Sequence, residues 1–401
     1  MLNVLIVVTA LAIAAYLAFS PRLANSSNWK ATVTPLASIM GSGFLVSAPL
    51  LGLIVGNRAV FFMAGLLMLS FLIGSAIRFN IRHFEPIENR RGRAQSIALL
   101  SRMVLAGAYF ISVTYYLQLL AVFLLKAFGV EGTLYAHGIT TLLLLIIGGI
   151  GMWRGLSELE QVESYAVSLN LGMIGVLLLG LALYNLRLLL AGHWQLSPLD
   201  GTVDGHDIRV LLGLLIVVQG FETSRYLQDE HPAEQRIVTM RLAQIISSVI
   251  YLAFIGLVTV LFQPGMTADV TAITSMVTPV AVVLPLLISI AAIGSQFSAA
   301  VADTSGAGGL IEDIVHRRLS PRYAYLAILL ITLMLTWNTN VNEIIAYASR
   351  AFALFYMLQC AVAFAVAWDE KGLKRRRRKL VLFGCCALAC ALVFGLGLPS
   401  E

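Results

Sequence analysis

The chain has 401 residues, 59% of them hydrophobic and 12% charged. Soluble domains carry about 25% charged residues, so half that density leaves too little charge to coat a water-soluble globule of this length. The formal charge of +6 does not indicate a nucleic-acid partner, because the cations gather beside the ends of apolar runs.

Runs of roughly 20 apolar residues can span the hydrocarbon layer as helices. Twelve such segments are expected: residues 2–19, 33–56, 58–78, 98–126, 135–153, 164–190, 207–228, 237–263, 276–303, 322–338, 341–367 and 380–398. The first lacks a preceding basic region and a good small-residue cleavage site, so it reads as a retained helix rather than a signal peptide. The longest connections are about 15 to 20 residues, too short for a soluble domain. The expectation is therefore one all-α polytopic membrane domain over residues 1–401.

Taking alternate connections as one side, the set 20–31, 78–102, 154–163, 225–241, 317–322 and 371–379 holds 22 Lys and Arg. The opposite set holds four: Arg58, Lys126, Arg187 and Arg209. The rich side is expected to face the cytoplasm, which places both termini outside. The run Lys374–Lys379 reads as an orientation signal, with anionic-lipid binding as the alternative. Trp29, Trp153, Trp194, Trp337 and Trp368 all fall near segment ends, where indole rings favour the membrane–water interface. Cys360, Cys385, Cys386 and Cys390 lie in apolar runs without zinc-ligand spacing and read as packing residues.

The second segment carries Gly41-Ser42-Gly43 near its middle. Glycine weakens a helix by about 1 kcal/mol relative to alanine, so the helix can unwind here or approach a neighbour closely. Unwound backbone at that depth must be buried in protein or line a wet cavity, where its N–H and C=O groups can hold charge. In the seventh segment a polar patch, Gln219 to Arg225, interrupts the apolar run at Gly220. Glu222 and Arg225 would share a helix face, unless the helix ends there at the interface. The two odd segments are five apart in order and so run in opposite directions. Matched interruptions of this kind are the sequence mark of inverted repeats around a central transport site.

The ninth segment is unusually polar from Ser295 through Ser298 to Asp303 and Thr304. Hydroxyl and carbonyl oxygens suit a hard cation such as sodium. Asp303 is costly in a membrane, so it binds a cation, takes a proton, or pairs with a cationic group near the cytoplasmic face. Arg350 also needs a partner. Glu343 is two turns away, about 10 Å along a helix, which leaves another helix or a substrate anion open. Enzyme signatures such as H-E-x-x-H, G-x-S-x-G and the P-loop are absent from the sequence, and its six histidines are dispersed, so neither an enzyme nor a metal cluster is expected.

Met40-Gly41-Ser42-Gly43-Phe44-Leu45 resembles the G-S-G-I-F stretch in the first helix of amino acid–polyamine–organocation (APC) superfamily transporters. Gln219-Gly220-Phe221-Glu222 resembles the G-F-E stretch of their sixth helix, and Ser305 to Arg322 the end of their eighth. The resemblance covers about residues 33 to 367. It implies a LeuT-type fold: five-helix repeats at 33–190 and 207–367, with extra helices at 2–19 and 380–398. It further implies substrate binding by Gly41, Ser42, Gly43, Gln219, Gly220, Phe221 and Glu222, with Tyr115 and Tyr116 facing the same cavity. Ser295, Ser298, Asp303 and Thr304 are the ion-coupling candidates. The chain departs from the family pattern in its leading helix, in the lack of an Arg between Ser305 and Gly309, and in the lack of a Lys within 164–190. The last difference weighs against a lysine-based proton relay.

The function implied is a secondary active transporter in the cell inner membrane. It would move an amino acid or related small organic ion by alternating access, driven by sodium or protons, with no cofactor beyond that ion. An inorganic-ion transporter on the same fold, and a sensor or scaffold that transports nothing, are the alternatives. The expected partners are a small-molecule substrate and the lipid bilayer.

Overall fold

The computed structural model describes residues 2–41, 43–154, 156–199, 203–228, 230–314 and 321–399. Among them every regular element is a helix. In chain order these are α1 (Leu2–Phe19), α2 (Pro21–Ala24), α3 (Ser27–Gly41), α4 (Phe44–Val55), α5 (Ala59–His83), α6 (Arg93–Ala127), α7 (Thr133–Arg154) and α8 (Ser157–Leu190). There follow α9 (Gly205–Leu212), α10 (Ala233–Val258), α11 (Ala272–Met276), α12 (Leu284–Ile314), α13 (Pro321–Asn338), α14 (Val341–Asp369) and α15 (Arg376–Leu396). Nine helical stretches among the described residues are long and apolar enough to cross a membrane, and Arg322–Asn338 is a shorter apolar helix. The chain is a multi-pass membrane protein.

One of those stretches, Ser27–His83, is 57 residues long. As a single rod it would extend about 85 Å, nearly three times the hydrocarbon thickness. It instead folds back at a 3-10 turn over Gly56–Arg58, and α4 packs on α5. Gly56 has φ +52, and a Cβ there would lie 2.4 Å from the Leu199 carbonyl oxygen. Only glycine meets both conditions at low cost.

The bundle is built around α6, the most enclosed of the crossing helices, which packs chiefly on α12 and α14. Outside this centre α1 lies along α8, α13 along α7, and α15 along α14. Large apolar side chains such as Phe61, Trp153 and Leu190 are exposed, as lipid-facing residues are when only the protein is considered. Trp337 and Trp368 are also exposed at helix ends, where the sequence puts them.

Most expected segments coincide with helices, and one is corrected here. The segment expected over 276–303 begins as a helix only at Leu284 and runs on to Ile314. Pro279 disfavours helical geometry in the residue before it, and Pro285 lies in the first turn of α12, where a missing N–H costs nothing. At the other end Gly306 and Gly308 admit the rings of Tyr109 and Tyr325, at 3.1 and 3.2 Å from where a Cβ would stand. Residues 315–320 of the Ser305–Arg322 stretch lie outside the described residues.

Arg350 does not pair with Glu343. Its Nε donates to the Phe394 carbonyl at 2.7 Å, while Glu343 closes a capping box with Asn340 at the start of α14. The end of α15 is also tied to α9: the Leu398 N–H donates to the Arg209 carbonyl at 2.9 Å and Arg209 Nε to the Leu396 carbonyl at 3.2 Å. Of the cysteines, Cys360, Cys386 and Cys390 are buried between α14 and α15, while Cys385 faces outward.

Candidate functional site

The second expected segment is two helices. α3 stops at Gly41 and α4 starts at Phe44, with Gly43 at its N-cap. Ser42, between them, lies outside the described residues. Breaking the helix frees carbonyls that have no water to bond inside a membrane. The Gly41 carbonyl is met by Gln296 of α12, whose Nε2 donates to it at 2.9 Å. Gln296 Oε1 is buried with no hydrogen-bond partner among the described residues, so this amide keeps an acceptor beside the break.

The seventh segment is broken more extensively. After α9 the chain makes a 3-10 turn over Leu215–Val218, extends at Gln219, turns left-handed at Gly220 (φ +113) and makes a second 3-10 turn over Phe221–Tyr226. Side chains from three helices replace the missing ladder. The Ile216 N–H donates to Ser349 Oγ at 2.9 Å, Ser70 Oγ donates to the Val218 carbonyl at 3.1 Å, and the Tyr251 hydroxyl donates to the Val217 carbonyl. Gln219 Nε2 donates to the Tyr116 hydroxyl at 2.9 Å.

Glu222 is 1% exposed. Its Oε2 accepts the Gly220 N–H at 3.0 Å and the Tyr356 hydroxyl at 2.6 Å. The Phe221 ring stacks on Tyr356, 5.1 Å between centroids. Arg225 turns away from Glu222, donates to Gln359 Oε1 and lies over Phe84. The sequence alternative, a helix simply ending near Gly220, does not describe this geometry.

The two breaks are seated on each other. A Cβ on Gly43 would stand 2.7 Å from Val217 Cγ1, and one on Gly220 would stand 2.6 Å from the carbonyl carbon of Ser38. The Tyr251 hydroxyl lies 3.2 Å from the Ile39 carbonyl as well as on Val217, so one side chain of α10 touches both broken strands. Neither backbone can shift far without the other.

Beside this crossing is a cavity of about 80 Å³, large enough to admit water or a small ion. Thr34 and Ser38 of α3, Thr223 of the second break, Asn170 of α8, and Ser295, Ser298 and Asp303 of α12 line it. Asp303 is 11 residues from the end of α12, about 16 Å along the axis. It therefore lies within the span rather than at the rich end. Ser112 Oγ donates to its Oδ2.

The sequence candidates thus separate into two groups. Ser295, Ser298 and Asp303 come together on the cavity wall, whereas the Thr304 hydroxyl turns back to the Ala300 carbonyl of its own helix. Gly41, Gly43, Gln219, Gly220, Phe221 and Glu222 form the crossing itself and do not line that cavity. Tyr116 reaches the second break through Gln219, and Tyr115 packs on Tyr116 at 5.1 Å. Sequence reasoning did not single out Gln296, Tyr251, Tyr356, Ser70 or Ser349. Gln296 sat in a run already marked as polar. The tyrosines gave no signal, because such a residue in an apolar helix reads as packing.

Comparison with known proteins gives this arrangement a family. Residues 21–397 match the family described as an APC superfamily transporter. A protein of Aquifex aeolicus (strain VF5) is 44% identical over 366 residues, 89% of each chain. Among solved structures, two mutants of the Eremococcus coleocola manganese transporter are similar in fold, each with TM-score 0.61, at 13% and 14% identity. Each comparison covers 94% of this chain and 87% of that one. The chain belongs to the APC superfamily of transporters.

Proposed function

We propose that the chain is a secondary active transporter of the cell inner membrane. It carries an amino acid or related small organic ion by alternating access, driven by a sodium or proton gradient, with its Arg- and Lys-rich connections in the cytoplasm. The observation that carries this reading is the seating of two chain breaks on each other, Gly43 on Val217 and Gly220 on Ser38. Regular helices would serve a scaffold equally well. Interrupted ones present peptide N–H and C=O groups in mid-membrane, where they hold charged cargo.

The twelve-span arrangement with inverted five-helix halves at 33–190 and 207–367 is part of the proposal. Opposed broken segments at matching positions support it. The substrate groups are the backbone at Gly41–Gly43 and Gln219–Glu222, with Ser42, Tyr115 and Tyr116 beside them. The N–H groups at the start of α4 favour a carboxylate. Coupling is proposed in the small cavity, where Asp303 and the hydroxyls of Ser295 and Ser298 offer hard oxygen donors; these suit sodium, and Asp303 alone suits a proton.

A second reading, an inorganic-cation carrier, is favoured by the fold shared with manganese transporters. The donor set weighs against a divalent metal. Asp303 is the one carboxylate on the described cavity wall, and no group of three or more His, Cys, Asp or Glu is placed to hold a metal among the described residues.

Uptake into proteoliposomes separates the readings. Labelled amino acids are offered with and without a sodium or pH gradient, and manganese in a parallel arm. Gradient-dependent amino acid uptake is expected. Manganese uptake alone selects the second reading, and no flux of either sinks both. Asp303→Asn is expected to reduce the dependence on the driving ion about tenfold or more; unchanged dependence on both sodium and pH removes Asp303 from coupling.

A further inference from the structure

A larger cavity, about 440 Å³, opens between α5, α10 and α15 at the Arg- and Lys-rich end of the bundle. Four cations line it: Arg78 and Arg82 of α5, Arg241 of α10 and Lys379 of α15. No Asp or Glu is among its lining residues. Arg78 is 6% exposed. Among the described residues its guanidinium donates to neutral groups, the Gln244 amide oxygen and the Phe71 carbonyl at 3.3 Å. Arg82 shares its charge with Glu234, but Arg241 has no acidic partner among the described residues. Lys379 lies over the Phe79 ring at 5.0 Å.

A buried charge without a counter-ion is costly, and a second cation facing the same space adds repulsion. An anion relieves both. The walls are not polar throughout, because Phe71 and Leu382 also face the cavity. The site sits at the first turn of α15, beside Lys374–Lys379, at the end of the spans where the sequence places the cytoplasmic interface. Basic pockets between spans at this level take phosphate headgroups.

We propose that this cavity binds the phosphate of an anionic phospholipid through Arg78, Arg241 and Lys379, with an acyl chain against Phe71 and Leu382. The lipid ties α15 to α5 and α10 at this end. The site is separate from the crossing of the two breaks and does not depend on which solute is carried.

The test uses the full chain purified in detergent, with binding read by native mass spectrometry and by thermal unfolding. Phosphatidylglycerol is expected to bind about tenfold or more tightly than phosphatidylcholine and to raise the unfolding temperature. This selectivity of the unaltered protein needs no variant; equal binding of the two lipids overturns the proposal. Arg241→Gln with Lys379→Gln, both at the mouth, is expected to weaken phosphatidylglycerol about tenfold. Arg377→Gln with Arg378→Gln, in the same basic run but outside the cavity lining, is expected to change it less than about twofold. Equal losses in the two pairs would mean diffuse attraction and no site. Inorganic phosphate is the second arm. If it stabilises the protein as phosphatidylglycerol does, and the first pair abolishes that effect, the cavity belongs to a soluble anion and the lipid assignment falls.

Discussion

The two chain breaks solve one problem in different ways. At the first, α3 stops at Gly41 and α4 resumes at Phe44, and one distant amide, Gln296, meets the freed Gly41 carbonyl. At the second, no α-turn forms from Gly213 to Tyr226, and Ser70, Tyr116, Tyr251, Ser349, Tyr356 and Glu222 hold the chain from several directions. The first break is written locally by glycine. The second is written by its neighbours. The first break rests on fewer outside side chains than the second, and Tyr251 ties the two together.

Substitutions can break this comparison. The largest effect is expected for Gly220→Ala. A left-handed backbone costs a residue with a Cβ about 1–2 kcal/mol, and the added atom would also meet the backbone of Ser38. Together these predict a loss of about 3 kcal/mol or more in thermal unfolding, and loss of uptake. Gly43→Ala keeps an extended φ open to any residue and meets only Val217. Overpacking of that kind costs about 1–3 kcal/mol. Gly41→Ala has ordinary contacts at 3.9 Å and should change stability by less than about 0.5 kcal/mol. If Gly41→Ala proves the most damaging of the three, the breaks do not cross as described.

Removing the supports sharpens the comparison further. Gln296→Leu leaves the Gly41 carbonyl unmet, at about 1–3 kcal/mol. Tyr356→Phe removes one of two donors to Glu222 Oε2 and should cost about 1 kcal/mol. A larger loss for Tyr356→Phe than for Gln296→Leu would mean that support at the second break is concentrated rather than spread.

The smallest effect belongs to the start of α9. There the Asp204 carboxylate accepts the N–H of Asp207 and of His206 at 2.9 and 2.8 Å, which hold its pKa below the ordinary value. The cap is therefore in place above the usual aspartate range near 4 and is lost as pH falls through the lowered pKa. Hydrogen exchange at His206 and Asp207 should quicken in acid, and Asp204→Asn should remove that dependence while keeping the cap.

What the sequence discloses follows from where each structure is encoded. Spanning helices are legible because hydrocarbon imposes a length and a composition. The first break is legible because Gly41 and Gly43 stand alone in an apolar run. In the second, the patch Gln219–Arg225 gives a signal, but Leu214 to Val218 read as an unbroken apolar helix. Their 3-10 geometry is set by Tyr251, Ser70 and Ser349, between 34 and 148 residues away in the chain, which no local pattern contains. Asp303 is legible as an acid in a span. Its depth is not, because the small residues Ser305–Gly309 look like a helix ending and in fact admit Tyr109 and Tyr325.

The knot between α9 and the residues just past α15 has a practical meaning. A Cβ on Gly213 would stand 2.0 Å from the Leu398 carbonyl oxygen; the Leu398 N–H donates to the Arg209 carbonyl, and the Arg209 guanidinium donates to the Leu396 carbonyl. Any movement of α9 must therefore pull on the end of α15. A spectroscopic label on the exposed Leu392 or Leu388 would register that movement, so the last helix can serve as the needle of a gauge.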